Sequence, residues 1–456
     1  MKTVNILDFG AIPDYNKTQT KAFQDAIDYC YKNGGGEVTV PSGTYVIGDI
    51  RLRSNITLHL LENVVIKGSS DINDYFNIYN DCLQPLPEEQ ATKTKWITAT
   101  KHFANGGGLK KHLYTAGSYW NYGIIRAIYA ENVSIIGEKG SLIDGGNLFD
   151  PNGEEYYRGP HGINMHFCKN ISFKGYTIKD TGNWAHAIFQ SENITFTDLN
   201  VSGGHDALHT RACSNVKINN CTLITGDDCI AGFDCLDVTV KNCEISSACS
   251  AFRFGGNNIV IEDCKIYGPC KYQFRGSFLP EEKQQSAEKS KVGRNNMLCF
   301  FTYFVTDDLP ARKQPGNIII KNCKVDNSDR FLHINLSGNE TWQRGNPPTD
   351  ITFENISANK IKTGLYAYGN GIIKHKLNLK NIDFTASEGF ENEAFIKTAH
   401  FDEINIDNLN FTNYNGYAFI KCWSTPGVVS VNNLNAHISK NELIVCTDEQ
   451  FICSPI

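Results

Sequence analysis

The sequence predicts an all-β fold, a single-domain parallel β-helix with a short N-terminal capping helix. Three observations predict it. One apolar phrase recurs along most of the chain, the recurrences lie about 22 residues apart, and the only clear helical pattern stands before them. A repeat of this length that carries strands without helices matches one coil of a β-helix, not a propeller blade or a helical repeat.

Residues 1–66 are read as an N-terminal cap and first coils. VNILDFGA is followed by a helical pattern in which Ala22, Phe23, Ala26, Ile27 and Cys30 share one face, and Gly34, Gly35 and Gly36 stop it. EVTVPSGTYVIG and NITLHLLENVVIKG then alternate as strands do. A helix at the end of a β-stack covers strand edges that would otherwise invite aggregation. Residues 77–126 lose the periodicity and include Trp96, Trp120 and a Gly106-Gly107-Gly108 run, which predicts an insertion beside the scaffold.

Regular coils are expected over 132–435. The phrase N-[IV]-x-[IVF]-x-[ND]-[CLI] begins at 132, 170, 193, 215, 237, 258, 317, 350, 376, 403 and 428. From 170 the intervals are 23, 22, 22, 21, 59, 33, 26, 27 and 25 residues. The interval of 59 is expected to hold a long loop at about 278–313 with the charged run PEEKQQSAEKSK, and residues 436–456 a C-terminal cap. In such a stack, equal offsets from the phrase become columns of side chains about 4.8 Å apart.

Two columns carry structure. At offset +5 stand Asp198, Asn220, Asn242, Asp263, Asn322, Asn355, Asn381, Asn408 and Asn433, an amide ladder at a turn, since Asn tolerates left-handed geometry. At +6 Cys221, Cys243, Cys264 and Cys323 share a slot with Tyr176, Leu199, Ile356, Ile382, Leu409 and Leu434. A slot that exchanges Cys with Leu and Ile is a core position, so buried thiols are expected rather than disulfides, although the chain has 16 cysteines. No CxxC or CxxH pair of zinc-site spacing is present.

Composition narrows the function. The net charge of −6 argues against a general attraction to polyanions such as nucleic acid, so an acidic substrate needs a local basic cluster. No run approaches the ~18 apolar residues of a membrane span, and MKTVNILDFGAIPDYNKTQ lacks the apolar core of a leader. The expectation is a cytoplasmic protein, or a secreted one if a leader is removed, with no cofactor.

Chemistry is expected where acids replace the ladder. Offset +13 reads Asn183, Asp206, Asp228 and Ser250, and +12 reads Gly182, His205, Asp227 and Cys249. Asp206 should stack on Asp228 with Asp227 at its shoulder, and Gly226 should supply the bend. Strand alternation then places His186, His209 and Arg253 at +16 on the same outward face. Stacked carboxylates repel, so one holds its proton while its neighbours stay ionised. Glycoside hydrolysis needs that division of labour. A ladder in which Asp substitutes for Asn, or a calcium site of stacked carboxylates, is the alternative. Arg253 suits a substrate carboxylate, with Arg211, Lys271 and Arg275 able to join it, and Trp184 offers a stacking face for a sugar ring.

These stretches resemble glycoside hydrolase family 28, the polygalacturonases. The resemblance runs through VNILDFGA, GGEVTVPSGTY, GSSDINDY, IYAENVSIIGEKGSLIDGG, RGPHGINMHFCKNISFKGYTI and TGDDCIA. It implies a right-handed parallel β-helix and hydrolysis with inversion at the anomeric carbon. The family's Gly-Asp-Asp is met in full by Gly226-Asp227-Asp228, and its Asn-Thr-Asp by Gly204-His205-Asp206 with only the Asp kept. By that resemblance Asp227 is the general acid, and Asp206 and Asp228 hold and deprotonate water. His161 and His205 are counted with His186, His209, Arg253, Lys271, Arg275, Trp184 and Ser250 as candidate substrate contacts.

Two departures bear on substrate. Ser250 stands where the family has a histidine, and Gln273-Phe274-Arg275 matches its Arg-Ile-Lys only loosely. The expected function is an inverting, exo-acting hydrolase of short oligosaccharides, galacturonate-containing or of another sugar. A calcium-dependent polysaccharide lyase and a non-catalytic carbohydrate-binding β-helix are the alternatives.

Overall fold

The computed structural model describes residues 2–76, 122–150, 157–274, 294–305, 311–338, 343–390, 394–424 and 427–447. Most of the expected insertion at 77–126, most of the charged loop, Arg275 and the end of the C-terminal segment lie outside the described residues. The chain divides into two compact units: residues 1–227 with 272–294, and residues 228–271 with 295–456.

The first unit is built from coils whose strands pair in parallel with the strands of the coil before. One file of strands runs through Gly36–Val40, Ile56–Leu60, Glu131–Gly137, Lys169–Lys174, Glu192–Thr197 and Ser214–Asn219. A second file runs through Leu142–Asp144, Thr177–Lys179, Asn200–Gly203 and Thr222–Thr225. A third runs through Gly123–Ile128, His161–His166, His186–Phe189 and Leu208–Arg211. The helix Thr20–Lys32 buries Ala22, Phe23, Ala26, Ile27 and Cys30 against the first strands, the face its spacing predicts.

The second unit repeats the scheme. Its long strands Ile230–Lys241 and Ser250–Glu262 pair over both halves, Ile230 with Phe252 and Val238 with Ile259. Further coils follow at Lys324–Asn335, Asp350–Tyr368, His375–Ala386 and Phe401–Trp423. Within the stretch expected to be loop, Cys299–Tyr303 forms a strand that pairs Phe301 with Phe252 on one side and with Leu332 on the other. The interval of 59 residues therefore contains a coil that lacks the recurring phrase.

Both expected columns are present. Asn355 donates its amide to Asn322 at 2.9 Å, Asn381 to Asn355 at 2.9 Å and Asn408 to Asn381 at 3.0 Å. Each sits at a φ of 53–60°, where Asn is tolerated and β-branched residues are not. A second ladder stands at the first position of the phrase, through Asn132, Asn170, Asn193 and Asn215, with amide links of 2.9, 2.9 and 2.8 Å. Cys221, Cys243, Cys264 and Cys323 are buried free thiols.

Candidate active site

Asp206, Asp227 and Asp228 are nearly inaccessible, at 3%, 5% and 1% exposure, so the outward, solvent-facing cluster expected from strand alternation is instead enclosed. A buried carboxylate must be held by donors or cations, and each of the three is.

In the first unit Asp206 closes the turn before Leu208–Arg211, and its Oδ2 lies 2.6 Å from His209 Nδ1. Arg211 donates from Nε to His209 Nε2 at 2.8 Å. A guanidinium can only donate, so Nε2 accepts, and in the neutral ring the proton sits on Nδ1. His209 therefore donates to the Asp206 carboxylate. The chain Arg211 to His209 to Asp206 is fully buried at the imidazole, and Trp184 stacks on that ring at 3.6 Å and 10°. The Arg211 guanidinium lies 4.9 Å from the Trp184 ring centroid, where the π-face favours a cation.

Trp184 is thus a wall for His209 and not an open platform for a sugar. His161 packs against it with ring centroids 5.3 Å apart and is itself buried. His205 stacks on Tyr157 at 6.0 Å.

Arg158, which no column of the repeat marks, braces Asp227. Its Nη2 lies 3.6 Å from Asp227 Oδ2, and its Nη1 donates to Asn183 Oδ1 at 3.0 Å. Asn183, the ladder-like residue of the +13 column, also accepts from the Trp184 amide at 3.0 Å. Its signal in the sequence is its place in RGPHG, a stretch that carries the family resemblance. Gly226 lies in the bend that follows Thr222–Thr225 and also serves space: a Cβ there would lie 1.9 Å from the Gln273 carbonyl oxygen, so no larger residue fits.

His186 is not in this cluster. Register pairs it with Ile163 and Leu208, and places Ala187 beside His209. The cause is one extra residue. Thr177 pairs with Asn200, an offset of 23, while His186 pairs with Leu208, an offset of 22, so the turn between these strands absorbs one residue and turns His186 inward. There its Nδ1 donates to the Ala207 carbonyl at 3.2 Å, so Nε2 accepts from Tyr176 Oη at 2.8 Å; the ring meets Phe173 and Phe196 edge-on, and burial pulls its pKa down to about 4.

In the second unit Asp228 Oδ1 accepts the Ser250 amide at 3.0 Å, and Oδ2 lies 3.4 Å from Arg253 Nη1. Ser250 thus acts on Asp228 through its backbone, while its hydroxyl faces Thr302 Oγ1 at 3.1 Å. The Arg253 guanidinium lies 3.9 Å from the centroid of the Phe304 ring, which fixes its plane. Lys271 is exposed.

Residues 30–251 match the family described as Glycosyl hydrolases family 28, the segment that carries all three acids, His209 and Arg158. Over that segment, just under half of the chain, the protein is similar to glycosyl hydrolase family 28 and divergent from it. Its divergence shows in the relatives. It is 26% identical over 241 residues to a probable polygalacturonase of Vitis vinifera, covering 50% of this chain and 44% of that one. It is 36% identical over 89 residues to an exo-poly-alpha-D-galacturonosidase of Dickeya chrysanthemi, covering 19% of this chain and 14% of the relative. The chain thus spans less than half the length of these curated relatives. A solved family 28 exopolygalacturonase of Yersinia enterocolitica superposes with a TM-score of 0.59 at 16% identity, covering 95% of this chain and 78% of that one, a likeness of fold.

Proposed function

We propose that this protein is an inverting glycoside hydrolase that removes terminal sugars from short galacturonate-containing oligosaccharides. The observation that carries the reading is the enclosure of three acids on a family 28 segment, each held by its own partner: Asp206 by His209, Asp227 by Arg158, Asp228 by Ser250 and Arg253.

In this mechanism Asp227 donates its proton to the glycosidic oxygen as the bond from the anomeric carbon to that oxygen breaks. Water attacks the opposite face of the same carbon and gives its proton to a carboxylate, the role that the family resemblance gives Asp206 and Asp228. The hydrogen bonds from His209 and from the Ser250 amide keep the two carboxylates in position as acceptors. Arg253 is suited to grip a uronate carboxylate, since a planar fork matches two oxygens. The exo preference is drawn from the insertion near 77–126 and from the exo-acting relatives' names.

The test is turnover of trigalacturonate by the native protein and by Asp227→Asn, with products separated by chromatography and the fold checked by thermal unfolding. Release of single galacturonate by the native protein and its loss in a folded variant are expected. Turnover retained by the variant contradicts the assignment of Asp227, and fragments of mixed length contradict exo action.

A further inference from the structure

The second unit contains a pocket of about 620 Å³ whose lining is cationic although the whole chain is acidic. Arg253, Arg330 and Lys362 face it with His333, against the single carboxylate of Asp329. Strand register explains the arrangement. Arg253 pairs with Thr302, and Thr302 with His333, on successive rungs about 4.8 Å apart, and Arg330 stands beside Thr363 on the next pairing. The inward neighbours Phe252, Phe301 and Leu332 are core, so alternation turns this file outward.

The cations differ in what holds them. Arg253 reaches Asp228 at 3.4 Å, and Lys362 reaches Asp329 at 2.6 Å. Arg330 makes no ion pair with a carboxylate among the described residues. Its Nη1 donates to His333 Nδ1 at 2.7 Å, its guanidinium lies 4.9 Å from the Tyr366 ring centroid, and its Nε is buried without a hydrogen-bond partner. The contact with His333 fixes that ring's Nδ1 as acceptor, so its Nε2 carries the proton and is a further donor. The Arg330 guanidinium brings a full charge to the wall of the pocket, and an anion with two oxygens in a plane is the ligand that matches its fork.

We propose that this pocket holds the carboxylate of a second uronate of the oligosaccharide through Arg330, with His333 and Lys362 beside it. The proposal rests on the galacturonate reading above and extends it. Arg253, on the rung that also carries Ser250, then serves the sugar at the acids, and Arg330 serves a neighbouring one. This is how a rewritten family motif around Ser250 and Gln273 is compatible with an acidic substrate: the recognition has moved to later coils.

Calorimetric titration with trigalacturonate and with its methyl ester, on Asp227→Asn protein with and without Arg330→Met, tests it. Loss of a hydrogen bond to a charged group predicts at least a tenfold rise in the Kd of the acid. The ester should bind alike to both proteins. Thr363→Glu, which sets a negative charge on the rung beside Arg330 and keeps the guanidinium while losing the Thr363 hydroxyl's bond to the Asp329 carbonyl, should weaken acid binding in the same way and spare the ester. Equal binding of the acid to all three proteins, an equal loss for the ester, or no binding of the acid at all overturns the proposal. Cleavage of trigalacturonate that Arg330→Met leaves unchanged removes the pocket's role and keeps the hydrolase. Binding through Arg330 by a native protein that cleaves nothing keeps the pocket and removes the hydrolase.

Discussion

Replacing His209 by Phe separates two roles for that ring. The phenyl group keeps the stack on Trp184, where the rings lie 3.6 Å apart, and removes the proton that the imidazole Nδ1 gives Asp206 at 2.6 Å. A hydrogen bond to a charged group is worth roughly 1.5–3 kcal/mol. If Asp206 orients water, that loss appears in the rate, and at 1.36 kcal/mol per decade it lowers kcat by about 10- to 150-fold. KM should stay near its native value, because the ring is wholly buried and touches no sugar. Stability should fall as well, since the substitution strips Arg211 Nε of its acceptor, and an unsatisfied buried donor costs about 1–3 kcal/mol. Steady-state kinetics on trigalacturonate with a thermal melt measures all three quantities. A folded variant with native kcat refutes the positioning role, and a raised KM at native kcat instead makes His209 a sugar contact.

Further predictions concern the supports of the site and of the coil core. Arg158→Met removes the guanidinium 3.6 Å from buried Asp227 and the donor that Asn183 Oδ1 accepts from, and should destabilise the protein by about 1–3 kcal/mol, read from urea midpoints. A loss below 1 kcal/mol would mean that the 3.6 Å contact carries little. Acid should unfold the first unit through His166 and His186, whose pKa values burial lowers to about 3 and about 4, with the neighbouring His161 adding to the first. Between the unfolded value near 6.5 and these folded values the unfolded chain takes up protons that the native chain refuses. The stability these rings contribute is therefore complete above pH 6.5 and declines as pH falls, by about 3 kcal/mol per pH unit for the pair. His186→Gln should remove about half of that slope between pH 6 and pH 5. An unchanged slope contradicts the assignment.

How much of this was legible in the sequence depended on whether a feature repeats at a fixed offset. The Asn ladder and the slot that holds the thiols recur in the coils that carry the phrase, so columns drawn from it located Asn322, Asn355 and Cys264 correctly. The same arithmetic failed at His186, because an offset of 23 on one strand and 22 on the next hides one residue in a turn that carries no phrase to mark it. It also assigned an outward face to acids that are enclosed, since alternation gives direction but not what covers a face. The spacing of Asp206, Asp227 and Asp228 singled these acids out, and the structure buries all three. Their partners were harder: Arg158 comes from a preceding coil and meets Asp227 only through the fold. Arg330 and His333 lie after a coil without the phrase, so no column connected them with Arg253.

The most direct test of the account is the product of trigalacturonate treated with native protein in the presence of a chelator, followed by chromatography, ultraviolet absorbance and the anomeric proton signals of fresh product. Saturated single galacturonate, released without any rise in ultraviolet absorbance and with inverted anomeric configuration, is the predicted result. An ultraviolet-absorbing unsaturated product that the chelator abolishes, or no product from folded protein, contradicts it.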